Sequence, residues 1–169
     1  MREVPSVGQG DTNMETKDLF NIQSERNKSL NILPNLDEYK LNARKLLALN
    51  VRVGTLANAT KCFKYWDDHE TIDQDNILRK YINTLGCILT VGIYKGYTDI
   101  TSIEMKPNDY CLSDQFLNLY VDINDLLISS SRDHYKTLFE DFLSIGLTIG
   151  LNEEQIISSF NNKSIYSHE

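Results

Sequence analysis

Two stretches limit what this chain can become. VRVGTLANATKCFKYW (51–66) and NILRKYINTLGCILTVGIY (76–94) are long, apolar and spaced for helices. In the second, Ile77, Leu78, Tyr81, Ile82, Leu85, Ile88, Leu89 and Ile93 recur every three or four residues. No segment shows the apolar–polar alternation of a strand. Two such helices must cover their apolar sides with others. The expected fold is therefore all-α, a compact bundle of about six helices.

The rest of the chain reads around this pair. Residues 1–16, with Pro5, Gly8 and Gly10, are expected to be a flexible arm, and 17–169 one helical domain. A first helix falls near 18–28. The second runs from 36 to about 66. Leu46, Leu47, Leu49, Val51, Val53 and Leu56 are dense enough to predict burial around most of its circumference. The third stops near Lys95, before Gly96. Residues 96–113 read as loop. Ser113 is expected to cap a helix to about 130, and another covers 132–148 before Gly150. Asn152 opens a last helix through Phe160.

Charge and composition exclude several classes. A chain of 169 residues suits one core, and its net charge of −7 opposes general binding to a phosphate backbone. No apolar run is long enough to span a bilayer, and no signal peptide is seen. Cys62, Cys87 and Cys111 lack metal-site spacing and read as reduced, apolar side chains. A cytoplasmic protein is expected, with no nucleic-acid or membrane partner.

Read without reference to any family, the chemistry is sparse. There is no P-loop, dinucleotide-binding glycine pattern, zinc motif or nucleophile elbow. His69, His134 and His168 are isolated. The acids of 67–75 lack the order of a calcium loop and read as a solvated connector. CFKYW (62–66) leaves two readings open. Its Lys64 and Trp66 suit a phosphate and a base, and equally an aromatic helix end packed on the core.

Four segments carry a resemblance: LFNIQ (19–23), KLLALNVRVGTLANATKCFKYW (45–66), ILRKYINTLGCILTVGI (77–93) and FLSIGLTIGLNEEQIISSF (142–160). With their spacing, they resemble the dimeric all-α dUTPases of bacteria and phages, relatives of MazG-type nucleotide pyrophosphatases, over about residues 19–169. The resemblance implies the all-α NTP pyrophosphatase type of bundle. It also implies paired carboxylates, in E-x-x-E and E-x-x-D spacing, that hold Mg²⁺ against a triphosphate. The matching positions here are Arg52, Thr55, Lys80 and Asn83, none acidic. Neighbouring glutamates of the family fall on Ala59 and Arg79. The tail NNKSIYSHE (161–169) keeps Lys163 but has Ser164 and Ser167 in place of asparagines and lacks the family's final Arg-Gln.

These departures imply a member without metal or other cofactor. It would be catalytically inactive, would act by binding, and would be encoded by a phage or mobile element. A homodimer and a host or mobile-element protein partner are expected. Gln23, Lys64, Trp66 and Lys163 are the candidates for residual binding of a dUTP- or dUMP-like ligand. Two alternatives remain. One is an active dUTP or dNTP pyrophosphatase with Mg²⁺ held by relocated acids (Asp67, Asp68, Asp73). The other is a metal-free nucleotide sensor using Arg52, Arg79 and Lys80.

Overall fold

The computed structural model describes residues 12–162. In chain order these form β1 (Thr12–Glu15), α1 (Lys17–Lys28), α2 (Glu38–Thr60), α3 (Gln74–Lys95), β2 (Ser102–Met105), α4 (Leu112–Ile128), α5 (Arg132–Thr148) and α6 (Glu153–Asn161). The all-α bundle and its six helices are as the sequence led us to expect. Residues 1–11 of the expected arm, and Lys163 with the rest of the tail, lie outside the described residues.

α3 is the centre. Its side chains from Tyr81 to Leu89 are buried except Cys87, which is half-buried. Each leucine or isoleucine there contributes about 2 kcal/mol through loss of apolar contact with water. α1, α2 and α5 pack around it, and α6 closes the end near α1. Arg26 of α1 holds α6 in place. Its guanidinium lies 4.5 Å from the Phe160 ring centre and donates to the Phe160 carbonyl at 2.6 Å.

The crossing of α3 and α5 is built from two tyrosines and two glycines. Tyr81 of α3 stacks on Phe142 of α5, with ring centres 4.3 Å apart, and donates to the Phe142 carbonyl at 3.1 Å. Tyr135 of α5 donates to the Ile88 carbonyl of α3 at 2.8 Å. A Cβ on Gly146 would stand 2.4 Å from the Tyr81 oxygen, and one on Gly92 would stand 2.3 Å from the Tyr135 oxygen. Each helix thus places a phenol over a glycine of the other. Burial holds both phenols well above their usual pKa, so both stay protonated donors.

Local signals explain most helix ends. Asp37, Asp73 and Ser131 accept from the backbone N–H three residues on, and Asn152 forms a full capping box with Gln155. Gly96 (φ 78°) and Gly150 (φ 92°) take the left-handed conformation after α3 and α5. Ser113 does not cap α4. Cys111 holds that position without a side-chain bond to the helix backbone, and Ser113 lies inside the first turn.

Three differences from the sequence reading are structural findings. First, β1 and β2 form an antiparallel ribbon, Met14 opposite Ile103, where an arm and a loop were expected. Met14, Ile103 and Met105 are buried, and Thr16 is tied to the 100–101 backbone through its N–H and hydroxyl. Second, α2 ends at Thr60, because Lys61 adopts φ 59°, so CFKYW is loop and not helix. Third, α2 is buried on one side only: Leu47 and Val51 are 62% and 59% exposed.

Gly92→Ala and Gly146→Ala are each expected to lower stability by about 1–3 kcal/mol, since the added methyl displaces a buried phenol. Denaturant midpoints measure this, and unchanged midpoints would refute the close crossing.

Candidate functional site

The site is built on α2 and α3, which run antiparallel. Near one end, Tyr94 donates to the Glu38 carbonyl at 3.1 Å, and the Lys45 ammonium lies 4.4 Å from the Tyr94 ring centre. Further along, the Thr84 hydroxyl bonds both to Lys80 O, at 2.8 Å, and across to Arg52 O, at 3.3 Å. As α3 numbers fall, α2 numbers rise. This register puts Arg52 level with Asn83, and Thr55 level with Lys80. The four positions singled out from the sequence therefore share one stretch of the helix pair.

Their chemistry does not suit a divalent cation. Arg52 and Lys80 are half-buried cations. Thr55 donates its hydroxyl hydrogen to the Val51 carbonyl at 2.8 Å. Asn83, 5% exposed, supplies one neutral oxygen. Ala59 is buried, and Arg79 is exposed and donates to the Asn76 side chain at 3.0 Å. Mg²⁺ takes hard, mostly anionic oxygen ligands. Among the described residues no group of three or more His, Cys, Asp or Glu side chains could hold a metal. The residues present do not fit Mg²⁺.

Gln23 lies further along the pair. It is buried on α1, and its Nε2 donates to Asn27 Oδ1 at 2.9 Å and to Thr90 Oγ1 at 3.2 Å. Thr90 also donates to Asn27, at 3.2 Å. The Gln23 Oε1 is buried with no protein partner. Thr90 is two turns from Asn83 on the same face of α3, about 10 Å away at 1.5 Å per residue. The sequence reading named Gln23 but missed Asn27 and Thr90. Helical spacing was the available signal: Asn27 is four residues from Gln23, and Thr90 seven from Asn83.

Lys64 and Trp66 lie beyond the other end of the pair, in the loop after Thr60. Lys64 is not open to a phosphate. Its ammonium pairs with both Asp68 and Glu70, and only 12% of its side chain is exposed. It lies 5.8 Å from the Trp66 ring centre. These bonds raise the Lys64 pKa and lower those of Asp68 and Glu70. Trp66 and Tyr65 meet edge to face at 4.9 Å, with Tyr65 94% exposed. The aromatics are thus a surface cluster, not a helix end packed on the core. By the same register Thr90 is level with Lys45, 15 residues of α2, or about 22 Å, before the Thr60 end from which the Lys64 loop departs. Within one chain, Gln23 and Lys64 do not converge.

The other acids are also engaged. Asp67 accepts from the His69 N–H at 3.0 Å, and Asp73 caps α3. No three of the acids in the 67–75 connector gather.

An antiparallel helix pair at the heart of an all-α bundle is the arrangement that the resemblance of the sequence implied. A dUTPase family model matches residues 15–169. The chain belongs to that helical dUTPase family. No curated protein and no solved structure matches it.

The Lys64 cluster has a built-in reporter, since Trp66 is the chain's single tryptophan. Asp68 and Glu70 have lowered folded pKa values, so their pairing is complete above the ordinary carboxylate range and lost as pH falls below it. Trp66 emission is expected to change below about pH 4. In a double variant, Asp68→Asn with Glu70→Gln, that transition should vanish.

Proposed function

We propose that this dUTPase-family protein acts by binding and not by hydrolysis. The observation that carries the reading is the joint replacement at Arg52, Thr55, Lys80 and Asn83. One lost ligand leaves a weakened metal site. Four lost at one level, two of them to cations, leave positive charge where Mg²⁺ would sit. The core around them is intact.

The partner is proposed to be a protein, first a second copy of the chain. Exposed apolar side chains flank the seam between α2 and α4, where Tyr120 donates to the Asn50 carbonyl at 3.3 Å. Leu47 and Val51 stand on α2, and Leu117 and Val121 on α4. This stripe supports association through helix faces. A host or mobile-element protein is the second partner, in keeping with a phage or mobile-element origin and a cytoplasmic location. Among the described residues, no helix is long and apolar enough to cross a membrane.

One observation favours residual nucleotide binding. The unpartnered Gln23 Oε1 sits in a polar cluster at one end of the frame. It supports metal-free capture of a uracil nucleotide, with Arg52, Arg79 and Lys80 taking the anionic end.

Purified protein is expected to turn over neither dUTP nor dCTP with Mg²⁺ or Mn²⁺. Turnover abolished by changing Lys80 or Asn83 would overturn the proposal. A fourfold variant carrying Arg52→Glu, Thr55→Glu, Lys80→Glu and Asn83→Asp is expected to gain Mg²⁺ binding by calorimetry. Thermal shifts with dUMP and dUTP, with and without EDTA, test the nucleotide reading separately. No shift with either removes that reading and leaves protein binding standing.

A further inference from the structure

α4 and α5 meet through two acids that no proposed function uses. Asp122 of α4 is half-buried, and its Oδ2 is sealed from solvent without a partner from any donor group. The Asp141 carboxyl of α5 lies within hydrogen-bonding reach of it. Two carboxylates cannot bond to each other. Two carboxyl groups bond only with a proton between them, as like charges in a half-buried site cannot both ionise. We infer that α4 is clasped to α5 by one proton shared between Asp122 and Asp141, so that the seam between these helices is pH-sensitive.

The neighbouring charges favour keeping that proton. Asp125, on α4, adds negative charge, and no lysine, arginine or histidine offsets it at Asp122. Next to Asp141 on α5 is Glu140, whose carboxyl is also raised, chiefly by burial. The ammonium groups here belong to Glu140 and Glu104: Lys136 stands 3.8 Å from the first, and Lys106 3.0 Å from the second on β2. α2, also packed on α4, meets it at Asn50 and Gly54, which carry no charge. α3 meets α5 with the Tyr81 phenol. Burial first, and then the bond to Asp141, pushes the Asp122 carboxyl up to about 8.

The sign follows. A carboxyl whose folded pKa is raised adds stability that is fully present below the unfolded value, near 4, and is lost as pH rises through the folded value. At neutral pH the clasp is closed but already weakening. The asparagine variant keeps the shape and supplies N–H donors to Asp141, so it imitates the protonated acid without titrating.

The test is denaturant unfolding of the full chain and its Asp122→Asn variant from pH 5 to 9. The unfolding constant of the parent, divided by that of the variant, is expected to rise by up to about tenfold per pH unit through the neutral range and to level off above about 8. A ratio independent of pH overturns the inference. If the variant does not fold, carbon-13 NMR of labelled aspartate in the parent decides. One carboxyl carbon titrating near 8 supports the shared proton, whereas all titrating near 4 overturns it.

Discussion

The structure depends on how α3 and α5 lock together through their tyrosines. A phenol over a glycine, repeated in both directions, lets each helix lay a tyrosine against the bare backbone of the other. The hydroxyls then bond to carbonyls of the opposite helix. Hydrogen bonds of this kind add only about 1 kcal/mol each. Their larger role is to fix the rotation of α3 about its own axis, because a phenol bonds only when aimed at one carbonyl. With that rotation set, Lys80, Asn83, Thr84 and Thr90 face α2 and α1, and the buried side of α3 faces α5.

On the proposed reading, this division of α3 into two faces lets the fold outlive a change of chemistry. One face makes the core, through Tyr81, Leu85, Ile88 and Leu89. The other presents polar groups towards α2, where Lys80 is half-buried and Thr84 reaches the Arg52 carbonyl. Carboxylates in place of Arg52, Thr55 and Lys80 would alter partly exposed positions, and only Asn83 of the four is buried. Removing acids from a cluster also relieves like-charge repulsion when no cation is present.

Much of this was legible in the sequence. The periods of 76–94 and 132–148 named the buried faces, and Gly96, Gly150 and Asn152 marked helix ends because cap chemistry is local. The i, i+3 spacing of Arg52 with Thr55, and of Lys80 with Asn83, set up the level that the antiparallel register completes. Other features depend on distant partners. Four-residue strands such as Thr12–Glu15 carry too little alternation to stand out. The left-handed turn at Lys61 has no glycine to announce it. Leu47 and Val51 look like core in a dense apolar run, yet point away from every described helix that could cover them. The engagement of Lys64 required the loop to fold back and bring Glu70 beside it.

The β1–β2 ribbon has a consequence in time. Thr16 bonds to the Ile100 carbonyl, 84 residues away in sequence, so β1 waits for a partner made after three helices. A chain leaving the ribosome amino-terminus first holds β1 with an open edge while α1 to α3 collapse. Contacts of such long separation are slow to form, because the intervening chain must be organised first. Closing the ribbon therefore marks the moment when the two halves of the domain become one cooperative unit.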